Sequence, residues 1–364
     1  MDLPAATRHQ LKPLDNTPPD NPITNDGATL GRVLFYDTQL SGNGTTSCAT
    51  CHVQAYGFAE PRRTSIGFDG QAVTRNSMSL VNLRFYRRGR FFWDERASTL
   101  EQQVLQPIEN PIEMGHQLPA LVKQLQADPI YPPLFEKAFG KTQVTPQRIA
   151  KALAQFVRSI VSFRSRYDVG VAEAGSPLKD FTNFSDEENL GKQQFFGRAR
   201  CAECHLPGFD DPDQQQWHVF QLSQPTNNGI DRDDDERADP GLSAISERLQ
   251  DRGKFKASTL RNIDRTGPYM HDGRFHTVDQ VIEHYNWSVR PHKNLDPRLR
   301  DFAANGLALP EVPKVALAKF LSTLTDNDLL QDPKFSNPFA TLGSADSAST
   351  QHVPAATRAA AASR

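Results

Sequence analysis

All four cysteines of this 364-residue chain lie in two copies of one pentapeptide, Cys48-Ala49-Thr50-Cys51-His52 and Cys201-Ala202-Glu203-Cys204-His205. C-x-x-C-H is the attachment pattern of a c-type haem: two thiols add across the vinyl groups as thioethers, and the adjoining imidazole takes one axial face of the iron. The copies are 153 residues apart, from Cys48 to Cys201. One haem per domain is therefore the natural division of a chain long enough for two domains of ordinary size. Two other chemistries use paired cysteines. A four-cysteine zinc site leaves the two histidines unexplained. Redox dithiols need no histidine at that place and usually accompany a βαβ pattern, which this sequence lacks. With every thiol consumed by haem, no disulfide is expected.

The formal net charge is −2 and there is no long basic run, so nothing points to nucleic acid. The longest apolar runs are far too short to span a bilayer, so no transmembrane segment is expected. The chain begins Met1-Asp2-Leu3-Pro4, with no charged segment leading into an apolar stretch. Because c-type haem is attached outside the cytoplasmic membrane, the expectation is a periplasmic protein whose signal peptide has been removed.

The pattern between the termini is helical. Thr145 followed by Pro146 reads as an N-cap with proline at the first helical position, and Ile149, Leu153, Phe156, Val157 and Ile160 form one apolar stripe. Ser185 with Glu188 makes a capping box ahead of Leu190 and Phe195. Pro313 is expected to open a last helix carrying Val315, Ala316, Phe320 and Leu324. Segments 53–92 and 206–258 read as long loops. The expected organisation is an extended arm at 1–25, a first haem domain at 26–169, a hinge at 170–184, a second haem domain at 185–339 and a disordered tail at 340–364.

An internal repeat runs through both halves. Leu30-Gly31-Arg32 and Phe35-Tyr36 precede the first haem motif, as Leu190-Gly191-Lys192 and Phe195-Phe196 precede the second. Ser79-Leu80-Val81-Asn82-Leu83 is echoed by Ser258-Thr259-Leu260-Arg261-Asn262-Ile263, and Trp93-Asp94-Glu95-Arg96 by His271-Asp272-Gly273-Arg274. The expected fold is mainly α: two cytochrome c-like haem domains related by internal duplication, with long loops. From Trp93 to His271 the offset is 178 residues, and the same offset carries Pro107 onto Tyr285. A tyrosine can ligate iron through its phenolate oxygen, whereas proline has no ligating atom. The first haem is thus expected to keep an open face able to bind peroxide, and the second to be closed and to exchange electrons only. On spacing alone, a tyrosine with its hydroxyl at the surface remains the competing account of Tyr285. The acidic run Asp231-Arg232-Asp233-Asp234-Asp235-Glu236 lacks the glycine and closing glutamate of an EF-hand and reads as a solvated loop.

The chain resembles the bacterial dihaem cytochrome c peroxidase and MauG family from about Leu30 to Thr325. The resemblance rests on both haem motifs, Phe92-Trp93-Asp94-Glu95-Arg96-Ala97, Asn110-Pro111-Ile112-Glu113-Met114 and Gly267-Pro268-Tyr269-Met270-His271-Asp272-Gly273. It implies two covalently bound haem c groups, a peroxidatic one at His52 and an electron-transfer one at His205. It further implies that Gln103 and Glu113 line the distal pocket of the first, with Glu113 the acid/base for O–O cleavage and Pro107 shaping the same pocket. Trp93 would be a relay between the haems, and His271 is similar to a family histidine near the propionates. A calcium ion between the domains is implied, held by Asn76 and the backbone carbonyls of Thr266 and Pro268. The implied partners are hydrogen peroxide and a small redox protein, a cytochrome c or cupredoxin. In the MauG-like alternative, the partner is a protein whose Trp or Tyr residues are modified. Dimers are common in the family, but the sequence does not fix the oligomeric state.

Two features depart from the ordinary peroxidase pattern. Tyr285 stands where those peroxidases place methionine, as in MauG and its relatives; an anionic oxygen ligand lowers the reduction potential relative to Met. Met270 and Met114 are fallback ligands, but neither stands at the aligned position. There is also no histidine between His52 and His116. Release of a distal histidine by prior reduction should therefore be unnecessary, although His116 lies nearby in sequence.

Overall fold

The computed structural model describes residues 5–206, 217–222 and 224–340. Among these residues the chain is mainly helical and has no strand, only isolated bridges. The expected tail beyond residue 340 lies outside the described residues.

Two helix pairs build two apolar cores. In the first, the Asn25–Tyr36 helix crosses the Pro146–Ser159 helix. Thr145 caps the latter, its Oγ1 accepting the Arg148 N–H at 3.2 Å. The expected stripe from Ile149 to Ile160 is buried throughout. In the second, the Asp186–Phe196 helix, opened by the Ser185–Glu188 capping box, crosses the Glu311–Ser322 helix. A glycine sits at each crossing. A Cβ on Gly31 would lie 2.0 Å from the Ala152 carbonyl oxygen, and one on Gly191 would lie 1.9 Å from that of Ala316. Backbone meets backbone at both points, so neither neighbour yields easily. Gly31→Ala and Gly191→Ala are each expected to lower stability by about 1–3 kcal/mol, measured from the denaturant midpoint of unfolding.

The halves agree in finer detail. Ser79 Oγ–H donates to the Gly57 carbonyl and Thr259 Oγ1–H to that of Val219, both at 2.6 Å. Asn82 and Asn262 both adopt the left-handed backbone that asparagine tolerates. Each donates its N–H to the end of its crossing helix, at Ile160 and Leu324 respectively. Each also accepts an N–H on its side-chain oxygen, from Ser162 at 2.9 Å and Asp326 at 2.8 Å. The bridge Phe91–Ala97 recurs 178 residues on as Tyr269–Phe275.

The segment boundaries differ from the sequence expectation. The arm is not wholly extended: Ala5–Leu11 is helical and Lys12–Leu14 forms a 3-10 turn. Leu11 and Leu14 pack with Phe85, Val161, Phe163 and Val219, and that burial outweighs the proline- and asparagine-rich composition. Residue 170 falls inside the Arg166–Ala174 helix, whose Tyr167 and Val171 belong to the second core. The rest of the expected hinge is docked: Phe181 and Phe184 are buried in that core, and the Lys192 ammonium donates to the carbonyls of Pro177, at 2.9 Å, and Lys179. The last long helix begins at Glu311, two residues before Pro313, because proline is tolerated within a helix's first turn. It is not the last helix; Asn327–Gln331 follows. That stretch returns to the first core, where Leu329 and Phe335 are buried. Tyr36 Oη–H and Arg32 Nε–H hold the Phe335 and Ser336 carbonyls, each at 2.6 Å.

Candidate haem centres

The first motif forms the helical turn Cys48–Cys51, opened by a Ser47–Thr50 capping box, with His52 at its end. Phe58 adopts a left-handed conformation that returns its carbonyl to the His52 ring. Nδ1–H donates to that carbonyl at 2.9 Å, the tautomer that places the lone pair on Nε2. The second motif forms the turn Ala202–His205. The buried Nδ1 of His205 has no partner in the chain. Burial pushes both imidazoles down, His205 to about 4, so both are neutral and fit to ligate at physiological pH.

The thiols exclude one rival chemistry. Burial pushes Cys48 and Cys201 up to about 12, and Cys51 and Cys204 up to about 11. A redox dithiol needs the opposite, a thiol acidic enough to attack as thiolate. Nor do the cysteines gather as a zinc site: among the described residues, no group of three or more His, Cys, Asp or Glu side chains is arranged to hold a metal ion.

The second motif opens into an apolar cavity of about 240 Å³ lined by Cys201, Cys204 and His205 together with Tyr285, Met270, Trp93, His271, Asn76, Thr266 and Pro268. Seven of the expected site residues outside the motifs thus meet the second motif in one space, if Met270 is counted as the fallback ligand. An apolar hollow holding two thiols, an unpartnered imidazole nitrogen and a tyrosine fits a covalently attached porphyrin. Tyr285 lies in a π-helical turn, His284–Ser288, that continues the capped Val278–Glu283 helix. Such turns are frequent at functional sites. Asn286 pins this one by accepting the Leu307 N–H on its carbonyl and the Leu309 N–H on its side chain. Burial pushes the Tyr285 phenol up, and a hydrogen bond from Asn228 opposes it. Asn228 also donates to the Met270 sulfur at 3.3 Å. Met114 is elsewhere, buried in the first core.

Trp93 Nε1–H donates to the Asn76 carbonyl, and the Asn76 N–H to the His271 carbonyl, each at 2.8 Å. The His271 ring lies flat on Phe255, 3.7 Å between centroids.

Around the first motif, the helix beginning after the Thr99 cap stops at Gln103 and restarts as Gln106–Glu109. Pro107 has no N–H to offer the Gln103 carbonyl, which accounts for the break. Gln103 and Pro107 are both half-buried. The Glu113 carboxyl accepts from Asn110 Nδ2–H at 2.7 Å. Burial pushes its pKa up, with Arg96 and Asn110 opposing. Its charge in turn raises both Cys48 and Cys51, so it stands beside the first attachment turn. His116 is held elsewhere: its Nδ1 bonds the Gln117 carbonyl and its Nε2 the Gln124 side chain. The acidic run is neutralised by cations, Asp231 by Arg274 and Asp233 by His292 and Lys293. Sequence reasoning missed Asn228 and Lys256; both lie in the long loop preceding residue 258, where no periodicity marks a buried position.

Two like-built cores, each carrying a haem-attachment turn, define a two-centre c-type haem protein. Residues 25–175 match the family model described as di-haem cytochrome c peroxidase. The methylamine utilization protein MauG of Methylorubrum extorquens is 32% identical, the match covering 84% of this chain and 80% of that protein. The cytochrome c551 peroxidase of Nitrosomonas europaea is also 32% identical, over 76% of this chain and 77% of that one. Among solved structures, a MauG-like protein associated with microbial copper homeostasis superposes with a TM-score of 0.77 at 32% identity, covering 93% of this chain and 99% of that one. The chain belongs to the di-haem cytochrome c peroxidase and MauG family. It is accordingly a peroxide-using oxidoreductase with two haem c groups. No helix among the described residues is long and apolar enough to cross a membrane.

Proposed function

We propose that the two centres divide the work, with peroxide reduced to water at the His52 centre and electrons passed through the His205 centre. The observation that carries this reading is the inequality at matching helix breaks: Pro107 follows one and Tyr285 sits in the other. The paired crossings at Gly31 and Gly191, the paired asparagines and the bridges 178 residues apart support an internal duplication whose copies have diverged at that point. When bound, the haems supply iron that accepts peroxide oxygen at one centre and conducts electrons at the other. The chain's own groups do the rest. Glu113 takes the proton from peroxide and returns it to the departing oxygen, with Gln103 and Pro107 bounding the space beside it. Each peroxide consumes two electrons and two protons and yields two waters. Trp93, joined to Asn76 and lining the second cavity, is the proposed relay. Asn76, Thr266 and Pro268 supply the oxygen-only set that calcium favours. The protein is proposed to act in the periplasm with a small redox protein as donor.

EPR of the resting ferric protein tests the division. One high-spin and one low-spin signal are expected, and Tyr285→Phe is expected to abolish the low-spin one. Two low-spin signals in the unaltered protein would refute an open first centre. A second reading, withdrawal of electrons from a Trp or Tyr of a partner protein, is favoured by Tyr285 in place of methionine. Rapid peroxide turnover with a reduced small cytochrome supports the first reading; a permanently altered partner residue supports the second.

A further inference from the structure

One buried cation has no counter-charge of its own. Lys256 is 1% exposed, and its Nζ makes no hydrogen bond. It lines the cavity of the second attachment motif, and its backbone N–H is fixed to the Trp93 carbonyl at 2.8 Å. Its ammonium lies over the faces of Tyr86, at 4.3 Å, and Phe91, at 5.3 Å. Ring faces offset only part of the cost of burying a cation. Glu95 is the carboxylate that acts on it, but Glu95 is already held by the Tyr86 hydroxyl and by two nitrogens of Arg88. Lys192 shows the contrast: buried in the same half, it is satisfied by two backbone carbonyls. A fully buried lysine without a partner is rare enough to require an explanation. Burial pushes its pKa down to about 7, as expected for an ammonium that lacks its anion.

We propose that Lys256 anchors a propionate carboxylate of the haem attached at Cys201 and Cys204, and that this pairing raises the reduction potential of that centre. The proposal rests on the reading that a haem fills the cavity. No other component of the holoprotein brings a carboxylate into an otherwise apolar space. A cation beside the porphyrin favours the reduced, more negative state, so its removal must lower the potential. The same residue, clamped to Trp93, would place this charge next to the proposed relay.

Spectroelectrochemical titration of the purified di-haem protein tests this. Lys256→Met keeps the bulk and removes the charge; its low-potential centre is expected to shift about tenfold toward the ferric form, a fall of about 59 mV. Lys256→Arg, which keeps the charge, is expected to stay near the unaltered value. Covalent haem content by mass and the low-spin EPR signal are recorded for each variant. A chain lacking one haem in the unaltered protein would sink the two-haem reading itself. A fully loaded Lys256→Met protein with an unmoved potential would overturn the anchor alone. Should Lys256→Met fail to accumulate, Lys256→Gln is read against Lys256→Arg by the same criterion, and equal potentials refute the pairing.

Discussion

Replacing Glu113 by glutamine is expected to slow peroxide consumption by about 10²- to 10⁴-fold while both haems remain attached. The side chain is of similar size, and Asn110, whose amide now donates to the carboxyl, can still reach the new carbonyl oxygen. What is lost is the group that accepts and returns a proton. The pH profile provides the sharper check. Burial pushes the Glu113 carboxyl above its ordinary value, and only its deprotonated form accepts the peroxide proton. In the unaltered protein the rate should therefore rise with pH along a limb displaced above the usual glutamate value of about 4.3. That limb should vanish in Glu113→Gln. Removing the opposing cation by Arg96→Met should move it further upward. Stopped-flow rates across pH would settle the matter, and a limb that survives in Glu113→Gln would assign the proton transfer to another group.

Asp168→Ala is expected to cost about 3–5 kcal/mol, the largest stability loss foreseen for a single change. Arg261 is fully buried and its two terminal nitrogens reach the two Asp168 oxygens, each at 2.7 Å. His218 Nδ1 shares the same carboxylate at 3.1 Å. Three separated segments meet there, so loss of the carboxylate strands a guanidinium deep in the second half. Burial pushes the Asp168 carboxyl up, but Arg261 and His218 outweigh it and hold it well below the usual carboxylate range. A carboxyl depressed in the folded state contributes stability that is full above its unfolded value of about 3.9 and is lost as pH falls toward the folded one. The effect should therefore be complete at neutral pH and fade only in strong acid. Denaturant midpoints at neutral and acid pH measure it. Replacing both partners, Asp168→Leu with Arg261→Met, should recover much of the loss, because no charge then remains buried alone.

The attachment motifs were legible because covalent chemistry leaves an invariable spelling, and the helices around them because caps and apolar stripes are local signals. Thr145, Ser185 and the stripe from Ile149 to Ile160 behave as their spacing predicts. The 178-residue offset brought Tyr285 to the second cavity before any coordinates were consulted, since duplication preserves order even where side chains change. Segment boundaries were less legible. Tyr167 and Phe335 are apolar residues whose choice of core depends on long-range packing, which composition does not encode. Asn228 and Lys256 were invisible for a different reason. Each lies in a loop whose path is set by what it wraps, and polar side chains there ordinarily face water.

The return of the carboxyl-terminal segment to the first core has a consequence for biogenesis. Gln54, two residues past His52, donates its amide to the Leu329 and Asp332 carbonyls, both at 2.9 Å. The amino-terminal half therefore lacks part of its wall until residue 335 has been made and delivered. Maturation cannot proceed strictly from one end to the other: the first centre to be translated is the last to be sealed.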